Sequence, residues 1–209
     1  MWYKVVHIVS NVLSKILFGL ERKGIENFPG KGPVILASNH LSFLDPIIIP
    51  TASRRRMHFM AKAELFTVPV LGWLVKIFNA FPVKRGVLDK SALKNSLDVL
   101  KEGNVLLLFP EGTRSPTGEI QEAKPGIGFI VYHSRVPVVP VFVTGTDKAF
   151  PRGAWMVRPK KVKVIFGKPL NFDKYLSQKG SKDIYTQIGK DIMCAIKLLS
   201  ETDRFVKRK

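Results

Sequence analysis

The chain has 209 residues, of which 45% are hydrophobic and 24% are charged. This length and composition exclude a disordered chain and predict one globular domain with a buried core and a short appendage. Because 34 Lys and Arg residues oppose 16 Asp and Glu residues, the formal net charge is +18. Such a charge predicts an anionic partner: nucleic acid, anionic lipid headgroups or an acidic carrier protein.

The hydropathy of the chain narrows that choice. A mean hydropathy of +0.07 accompanies a pI near 10.2, whereas nucleic-acid-binding proteins usually reach so high a pI with a less apolar sequence. The basic residues also do not alternate with aromatic residues along one face, as a surface that stacks bases requires. The sequence therefore favours a membrane surface, and no nucleic acid is expected as a partner.

The first predicted element is an amphipathic helix within residues 1–20. Its apolar residues recur at helical spacing and form one stripe, and its polar residues lie largely outside that stripe. The segment is too polar to span a bilayer and lacks the features of a signal peptide. Packing on the domain would also explain the stripe, but Trp2, Tyr3 and the basicity of the chain favour an interfacial anchor. We therefore expect a membrane-associating helix in residues 1–23 and an α/β domain in residues 24–209.

A second apolar segment extends from Leu65 to Val83, with Lys76 as its only charged residue. A central Lys costs roughly 2.5–3.5 kcal/mol on scales of membrane insertion. The segment is also interrupted by Pro69, Gly72 and Pro82. It is therefore expected to be buried or interfacial, and not to span a membrane.

Six short apolar runs predict β-strands. They are PVILAS (33–38), MHFMAK (57–62), AFPVKR (80–85), VLLLFP (105–110), VPVVPVFV (136–143) and VKVIFG (162–167). Because most of these runs are continuously apolar and do not alternate strictly, the strands are expected to be covered on both faces.

Two segments between or after the strands have the periodicity of helices, residues 89–102 and residues 181–200. The second contains Cys194, the only cysteine, which excludes an internal disulfide, is typical of a reducing compartment and is expected in the core. Together the elements predict an α/β fold: a central mixed, mainly parallel sheet flanked by helices, with the amphipathic helix at its N-terminus.

The stretch SNHLSFLDP, residues 38–46, contains a histidine and an aspartate five positions apart. On a regular helix that spacing is a rotation of about 140°, so the two side chains would not share a face. Pro46 disfavours a helical backbone at the residue before it. The sequence predicts a strand that ends near Asn39, a turn, and a helix that begins at Pro46 with Asp45 as its N-cap. A turn could join His40 and Asp45 as a base and its carboxylate, or Asp45 could serve as a cap alone.

The ends of the other strands add cations. The run LLLFPEGTRS leads from a strand into Gly112, which allows close backbone approach, and Arg114, whose planar fork suits a phosphate. FPVKRG ends another strand with Arg85, and FMAKAEL ends a third with Lys62. In open α/β sheets, ligands bind beyond the carboxyl ends of the strands. The pattern predicts a site for an anionic substrate, with a base at His40.

These residues give the chain a resemblance to the glycerolipid acyltransferase family, and within it to the bacterial 1-acylglycerol-3-phosphate (lysophosphatidic acid) acyltransferases. NHLSFLD matches the N-H-x-x-x-x-D motif of that family, FPVKRG its second block, FPEGTRS its third block and VPVVPV its proline-bearing fourth block. The resemblance spans roughly residues 24–170, and the first and third motifs together are very specific.

The resemblance implies an enzyme of phospholipid biosynthesis at the cytoplasmic face of the cell membrane, monotopic or peripheral. It would transfer an acyl group from a thioester, carried by acyl carrier protein or coenzyme A, to the free hydroxyl of 1-acylglycerol-3-phosphate, giving phosphatidic acid. His40 would be the general base, since an imidazole exchanges protons readily near neutral pH, and Asp45 would hold its tautomer. Ser42 is a less favoured candidate, as an acyl-enzyme nucleophile, because no second activating motif accompanies it.

The remaining motif residues would bind the acceptor. The cations that would hold its phosphate are Lys62, Arg85 and Arg114. The residues that would shape the pocket are Glu111, Gly112 and Thr113, with Glu111 orienting Arg114 or a substrate hydroxyl. The four His residues lack the spacing of metal ligands, so neither a metal nor a cofactor is expected.

Three alternatives have different consequences. An acyltransferase could act on another lysolipid, such as lyso-ornithine lipid, with the same dyad. A thioester hydrolase could use the dyad with water, but the cations at the strand ends would then have no anionic acceptor to bind. A nucleic-acid-binding module would explain the net charge of the chain but would not explain the motifs.

Overall fold

The computed structural model describes residues 2–53, 55–84, 86 and 89–206. All six predicted strands are present in these ranges, and a seventh, very short one precedes them. The strands are β1 (Glu21–Lys23), β2 (Val34–Ser38), β3 (Met57–Lys62), β4 (Ala80–Val83), β5 (Val105–Leu108), β6 (Val138–Thr144) and β7 (Lys163–Phe166).

The strands form one sheet in the order β1-β7-β6-β2-β5-β3-β4. Every neighbouring pair is parallel except β6 and β7, which are antiparallel. The predicted mixed, mainly parallel sheet is therefore confirmed. Because β6, β2, β5, β3 and β4 run in the same direction, their carboxyl ends meet at one edge of the sheet, which we call the carboxyl edge.

Eight helices surround the sheet in the described part of the chain. They are α1 (Trp2–Phe18), α2 (Asp45–Ala52), α3 (Pro69–Ile77), α4 (Lys90–Lys101), α5 (Pro125–Ser134), α6 (Thr146–Ala149), α7 (Asp173–Leu176) and α8 (Lys182–Val206), with short 3-10 turns at Ile25–Asn27 and Ala63–Phe66. The two helices predicted from periodicity are confirmed as α4 and α8, and α8 continues to Val206.

The core lies in two layers, one on each face of the sheet. Successive residues of β2 point to opposite faces, so Val34 and Leu36 join one layer while Ile35 and Ala37 join the other. All four side chains are 0% exposed, which confirms that this strand is covered on both faces. Helix α2 covers the first layer, and helices α5 and α8 cover the second. Complete burial of a Val, Leu or Ile side chain stabilises the fold by roughly 1.5–3 kcal/mol.

Close packing of α5 on α8 depends on a glycine. A Cβ atom at Gly128 would collide with the backbone carbonyl of Tyr185. The absence of a side chain at Gly128 therefore lets the two helices approach, and both bury apolar residues against the sheet. A larger residue here would push α8 away from the second layer of the core.

One prediction about α8 is wrong, because Cys194 is exposed. The buried face of this helix contains Ile188, Ile192 and Ile196, which recur at intervals of four residues and are 0% exposed. Cys194 is two positions from Ile192, about 200° around the helix. It therefore lies on the solvent side.

Helix α1 packs against α2 with only part of its surface. Ser14 and Phe18 are buried, with 2% and 6% of their surface exposed. The opposite side presents an apolar surface to solvent that we call the α1 face, formed by Val9, Val12, Leu13 and Ile16. Packing on the domain therefore leaves these four residues of the predicted apolar stripe exposed.

The apolar segment Leu65–Val83 is divided between a 3-10 turn, α3, a turn at Asn79 with φ of 57°, and β4. Val75 and Phe78 are buried. Four residues of the segment are exposed and form what we call the α3 face: Val68, Val70, Leu71 and Trp73. Among the residues that the structure describes, no helix has both the length and the apolarity needed to cross a membrane.

Candidate active site

The turn between β2 and α2, residues 39–44, brings the predicted histidine and aspartate into contact. We call His40 and Asp45 the dyad and this segment the dyad turn. Nδ1 of His40 lies 2.8 Å from Oδ2 of Asp45. Asp45 is 0% exposed and His40 is 6% exposed. The turn thus achieves what a continuous helix could not, and the pair lies at the carboxyl edge, where β2 ends.

The predicted position of the helix start is wrong. Asp45 is the first residue of α2, and Leu44 is the N-cap, with φ and ψ of −75° and −23°. The side chain of Asp45 turns back toward the preceding turn, where Oδ2 accepts hydrogen bonds from the backbone N–H groups of Leu41 and Ser42 at 2.6 and 2.7 Å. These bonds fix the turn, and they outweigh the local tendency of Pro46 to keep Asp45 out of the helix.

The contact with Asp45 determines which nitrogen of His40 is basic. An ionised carboxylate only accepts hydrogen bonds, so Nδ1 of His40 must donate and carry the proton. The lone pair is then on Nε2, which is the arrangement that a general base requires. The ring is also stacked on Phe109 with centroids 4.0 Å apart and planes inclined by 21°. Both contacts restrict the imidazole to one orientation.

Neighbouring strands hold the turn through hydrogen bonds that the sequence did not predict. The side-chain amide of Asn39 donates to the carbonyl of Val143 in β6 and accepts from its N–H, at 2.9 and 2.8 Å. The N–H of Ser115 donates to the carbonyl of His40 at 2.8 Å. The turn is therefore joined to β6 and to the loop that follows β5.

Ser42 is positioned for structure and not for covalent catalysis. It is 0% exposed, and its hydroxyl donates to the carbonyl of Phe150 at 2.9 Å. An acyl-enzyme nucleophile needs an accessible oxygen beside a base. The low weight given to Ser42 from the sequence agrees with this geometry.

The buried side chain of Glu111 contacts the dyad turn. Its Oε1 accepts a hydrogen bond from the backbone N–H of His40 at 3.0 Å, and its carboxylate also accepts one from the backbone N–H of Gln121. The residue is 1% exposed. Burial is the main cause that raises the pKa of Glu111, from its ordinary value of 4.5 to about 7, and the charge of Asp45 adds to the rise.

Arg114, which belongs to the FPEGTRS motif, contacts the NHLSFLD motif. Its guanidinium carbon is 3.5 Å from the centroid of the Phe43 ring, and Phe43 belongs to the turn that joins His40 to Asp45. Gly112, in the same loop, has a φ of 70°, a left-handed conformation that favours glycine. Gly112 and Thr113 are exposed and Arg114 is half-buried, so this loop forms an accessible wall beside the dyad.

Lys62, another of the predicted cations, lies farther along the carboxyl edge. Lys62 ends β3, is 47% exposed and pairs with Glu64 at 3.1 Å. An exposed pair of this kind contributes about 0–1 kcal/mol, so Lys62 can exchange it for a substrate anion. Arg85 lies outside the described residues. The order of the strands nevertheless places the carboxyl ends of β5, β3 and β4 side by side.

Comparison with known proteins assigns the family. A family profile described as Acyltransferase matches residues 19–144. The chain belongs to this acyltransferase family. The matched range includes the histidine–aspartate motif and the FPEGTRS loop, so the contact between His40 and Asp45 lies inside the acyltransferase domain.

Individual relatives agree with the family assignment. The 1-acyl-sn-glycerol-3-phosphate acyltransferase of Bacillus subtilis is 31% identical over 170 residues, which cover 81% of this chain and 82% of that protein. A chloroplastic enzyme of the same name from Arabidopsis thaliana is 31% identical over 181 residues, 82% of this chain and 50% of that protein. The chain thus spans only about half the length of its chloroplastic relative.

A solved structure shares the fold of this acyltransferase. The crystal structure of the 1-acyl-sn-glycerophosphate acyltransferase PlsC from Thermotoga maritima superposes with a TM-score of 0.77 at 27% sequence identity. The match covers 96% of this chain and 79% of the other. The likeness therefore extends over nearly the whole of this chain.

Two cavities of the protein lie away from the dyad. One cavity of about 330 Å³ is lined by residues that include His58 and Glu102, and another of about 320 Å³ is lined by residues that include Arg135 and Phe172. Neither is lined by His40 or by the loop of Arg114. Within the described ranges, no group of three His, Cys, Asp or Glu side chains is arranged to hold a metal ion.

The raised pKa of Glu111 predicts a specific dependence of stability on pH. The folded protein holds this proton more tightly than the unfolded chain, so the free energy of unfolding should fall as pH rises from about 4.5 to about 7 and then level off. A pKa change of this size corresponds to about 3 kcal/mol. Denaturant unfolding of the wild type and of Glu111→Gln across this range should show the fall in the wild type alone.

The matched control for that experiment is Glu119→Gln, since Glu119 is an exposed glutamate in the same loop. It should keep the pH dependence of the wild type. Parallel stability curves for the wild type and Glu111→Gln would contradict the assignment of the proton to this buried carboxyl.

Proposed function

We propose that this chain transfers an acyl group from a thioester to the free hydroxyl of 1-acylglycerol-3-phosphate and so forms phosphatidic acid. The observation that carries the proposal is the 2.8 Å contact between Nδ1 of His40 and Oδ2 of Asp45, since it leaves Nε2 as the base. The names of the relatives in bacteria and plants support this choice of acceptor. The donor would be acyl carrier protein or acyl-coenzyme A.

The dyad suits a direct transfer without a covalent enzyme intermediate. Nε2 of His40 takes the proton of the acceptor hydroxyl while the hydroxyl oxygen forms a bond to the thioester carbonyl carbon. Asp45 stabilises the imidazolium that results. When the tetrahedral intermediate collapses, the carbon–sulfur bond breaks and the imidazolium returns the proton to the leaving thiolate. One ester and one thiol are formed, and no water is consumed.

Cations at the carboxyl edge would hold the phosphate of the acceptor. Arg114 is held over Phe43 in the dyad turn, so a phosphate bound by its guanidinium is near His40. Lys62 and Arg85 would add charge from the neighbouring strand ends, while Gly112 and Thr113 form the accessible wall. Charge-assisted bonds from an Arg fork are directional. Binding energy at the phosphate is thereby converted into positioning of the hydroxyl.

The exposed apolar surfaces favour a peripheral or monotopic position on a membrane. The α1 face and the α3 face present apolar side chains to solvent, among them Ile16 at 73% and Val70 at 78% exposure. Contiguous exposed apolar surface on a protein with a net charge of +18 suits an anionic bilayer. The acceptor and the product are both lipids that partition into membranes, which agrees with this position. The proposed donors occur in the cytoplasm, so the chain would lie at the cytoplasmic face.

Removing the Arg114 guanidinium should separate phosphate binding from chemistry. In Arg114→Ala, we expect the apparent KM for 1-acylglycerol-3-phosphate to rise roughly 10-fold to 100-fold, as befits the loss of charge-assisted hydrogen bonds. A smaller fall in kcat should accompany it, because the hydroxyl is less well placed. Steady-state kinetics with each donor and a panel of lysolipid acceptors, followed by mass analysis of the product, measures both.

A lysolipid without the phosphate provides the internal control for Arg114. It should be a poor acceptor for the wild type and should lose little further activity in the variant. Arg204→Ala, which removes an exposed arginine from the last turn of α8, should leave both acceptors unaffected. Equal proportional losses on charged and uncharged acceptors would show that Arg114 supports the fold and not the phosphate.

A further inference from the structure

The loop between α6 and β7 exposes a cluster of large apolar side chains. Trp155 is 90% exposed, Met156 57% and Val157 36%. An indole buries more apolar surface than almost any other side chain when it has a partner. A described tryptophan with nine-tenths of its surface in solvent is therefore unusual, and it indicates an interaction site when its neighbours are apolar too.

Hydrogen bonds of the backbone hold this loop in a defined shape. The N–H of Ala154 donates to the carbonyl of Pro151 at 3.1 Å, and the N–H of Arg158 donates to the carbonyl of Ala149 at 2.7 Å. The first bond closes a tight turn and the second closes the base of the loop. Trp155 therefore lies at the tip of a loop whose backbone is held by hydrogen bonds.

The loop carries only positive charge. Residues 148–163 include no Asp or Glu. The exposed cations on either side of the apolar tip are Arg152, Arg158, Lys160 and Lys161. An apolar tip flanked in sequence by cations matches the interface of an anionic bilayer, where the indole lies at headgroup level and the cations meet lipid phosphates.

The two ends of the loop are joined to the dyad turn and to α1. At its start, the carbonyl of Phe150 accepts the hydroxyl hydrogen bond of Ser42, at 2.9 Å, and the N–H of Ser42 binds Asp45. At its end, Val162 donates to the carbonyl of Phe18 and accepts from the N–H of Glu21, both at 2.9 Å. The loop thus connects the dyad turn to α1, the helix that contains the α1 face.

We propose that residues 151–161, the Trp155 loop, form a membrane-contact loop that inserts Trp155 at the headgroup level of an anionic bilayer. Its four exposed cations would bind the lipid phosphates around the inserted tip. Through Phe150 and Ser42, the inserted loop would hold the dyad turn at the membrane surface, where a lysolipid becomes accessible. This proposal rests on the proposed function, because it assumes that the enzyme takes its lysolipid substrate from a membrane.

Fluorescence of Trp155 tests the proposal without any turnover. The chain contains three tryptophans, so a Trp2→Phe/Trp73→Phe variant leaves Trp155 as the only indole. On vesicles of phosphatidylcholine with phosphatidylglycerol, the emission of Trp155 should shift to shorter wavelength and should be quenched by brominated acyl chains. A Trp2→Phe/Trp155→Phe variant reports the α3 face through Trp73 in the same way.

Sedimentation with the same vesicles tests the cations in the otherwise unchanged protein. Lys160→Gln/Lys161→Gln should lower the partition coefficient roughly 10-fold to 30-fold at low salt, and less at high salt. Lys179→Gln/Lys182→Gln, which changes two exposed lysines in and before α8, is the matched control and should have a much smaller effect.

Three outcomes would overturn the Trp155 loop as a membrane contact. The emission of Trp155 could stay unchanged while the protein sediments with vesicles, or the two lysine pairs could have equal effects. The emission could also respond to acyl carrier protein and not to vesicles, which would make an acidic protein the partner of the loop. Because no substrate is present, each outcome is independent of whether the chain acylates 1-acylglycerol-3-phosphate.

Discussion

Replacing His40 by Ala should lower kcat for acyl transfer roughly 100-fold to 10,000-fold, the range that general base catalysis contributes. Without Nε2 nothing in the described turn takes the proton of the acceptor hydroxyl as it attacks the thioester. The KM for the acceptor should change much less, because the phosphate is held by other residues. Steady-state kinetics on purified variant and wild type measures both parameters.

The fold should survive the loss of His40. Oδ2 of Asp45 keeps its hydrogen bonds from the N–H groups of Leu41 and Ser42, and the backbone N–H of residue 40 can still donate to Glu111. His133→Ala, which removes an exposed histidine of α5, is the matched control and should retain full activity. Near-normal turnover by His40→Ala in a preparation free of wild-type enzyme would refute the dyad assignment.

Asp45→Asn should have an effect of similar size for a different reason. An amide that donates to Nδ1 places the imidazole proton on Nε2, so the base is in the wrong tautomer. In a Ser-His-Asp triad, the same substitution lowers kcat by about 10,000-fold. We therefore expect a loss of roughly 1,000-fold or more in kcat, with little change in the KM for the acceptor.

Asp45→Asn should also destabilise the protein, by about 1–3 kcal/mol, since two backbone N–H groups lose a charged acceptor in a buried turn. Denaturant unfolding distinguishes this effect from the loss of activity. Asp98→Asn changes an exposed aspartate of α4 and should alter neither property. If Asp45→Asn raised KM and left kcat intact, Asp45 would support the turn without controlling the tautomer.

Most of the strands were predictable because their apolar character is continuous. A run such as VILA, 0% exposed in β2, can be stable only where helices cover both faces of a sheet. Strand β1 was missed for the opposite reason. Its sequence, ERK, is short and charged, and it is a strand only because it pairs with β7, from Glu21 opposite Lys163 to Lys23 opposite Ile165.

Helix α5 shows a second limit of periodicity. Its sequence, PGIGFIVYHS, is apolar on nearly all sides, and Ile127, Ile130 and Val131 are buried. A helix without a polar face has no 3.6-residue pattern by which it can be distinguished from a buried strand. Its type is determined by packing against α8, which the local sequence does not encode.

The site was predictable in its chemistry and less so in its geometry. The spacing of His40 and Asp45 and the proline after them predicted a turn, which could join the two side chains or leave Asp45 as a cap alone. The structure contains the contact. The predicted N-cap was wrong because the hydrogen bonds that Asp45 accepts within the turn outweigh the rule for the residue before proline.

The placement of Glu111 shows what the sequence could not reveal. A glutamate in a polar loop motif is usually exposed, and the sequence gives no direction for its side chain. Only the adjacency of β2 and β5 places that carboxylate under the backbone N–H of His40. One signal was available, since Glu111 follows the end of a fully buried strand at the edge where His40 also lies.

The central claim is that the dyad transfers an acyl group to a phosphate-bearing lysolipid and not to water. Its most direct test supplies purified protein with an acyl thioester and 1-acylglycerol-3-phosphate, and measures the thiol released and the acylated lipid formed in the same sample. The proposed mechanism predicts one molecule of phosphatidic acid for each thiol, with both products lost in His40→Ala. Release of thiol together with free fatty acid, in the absence of acylated lipid, would contradict it and identify a thioester hydrolase.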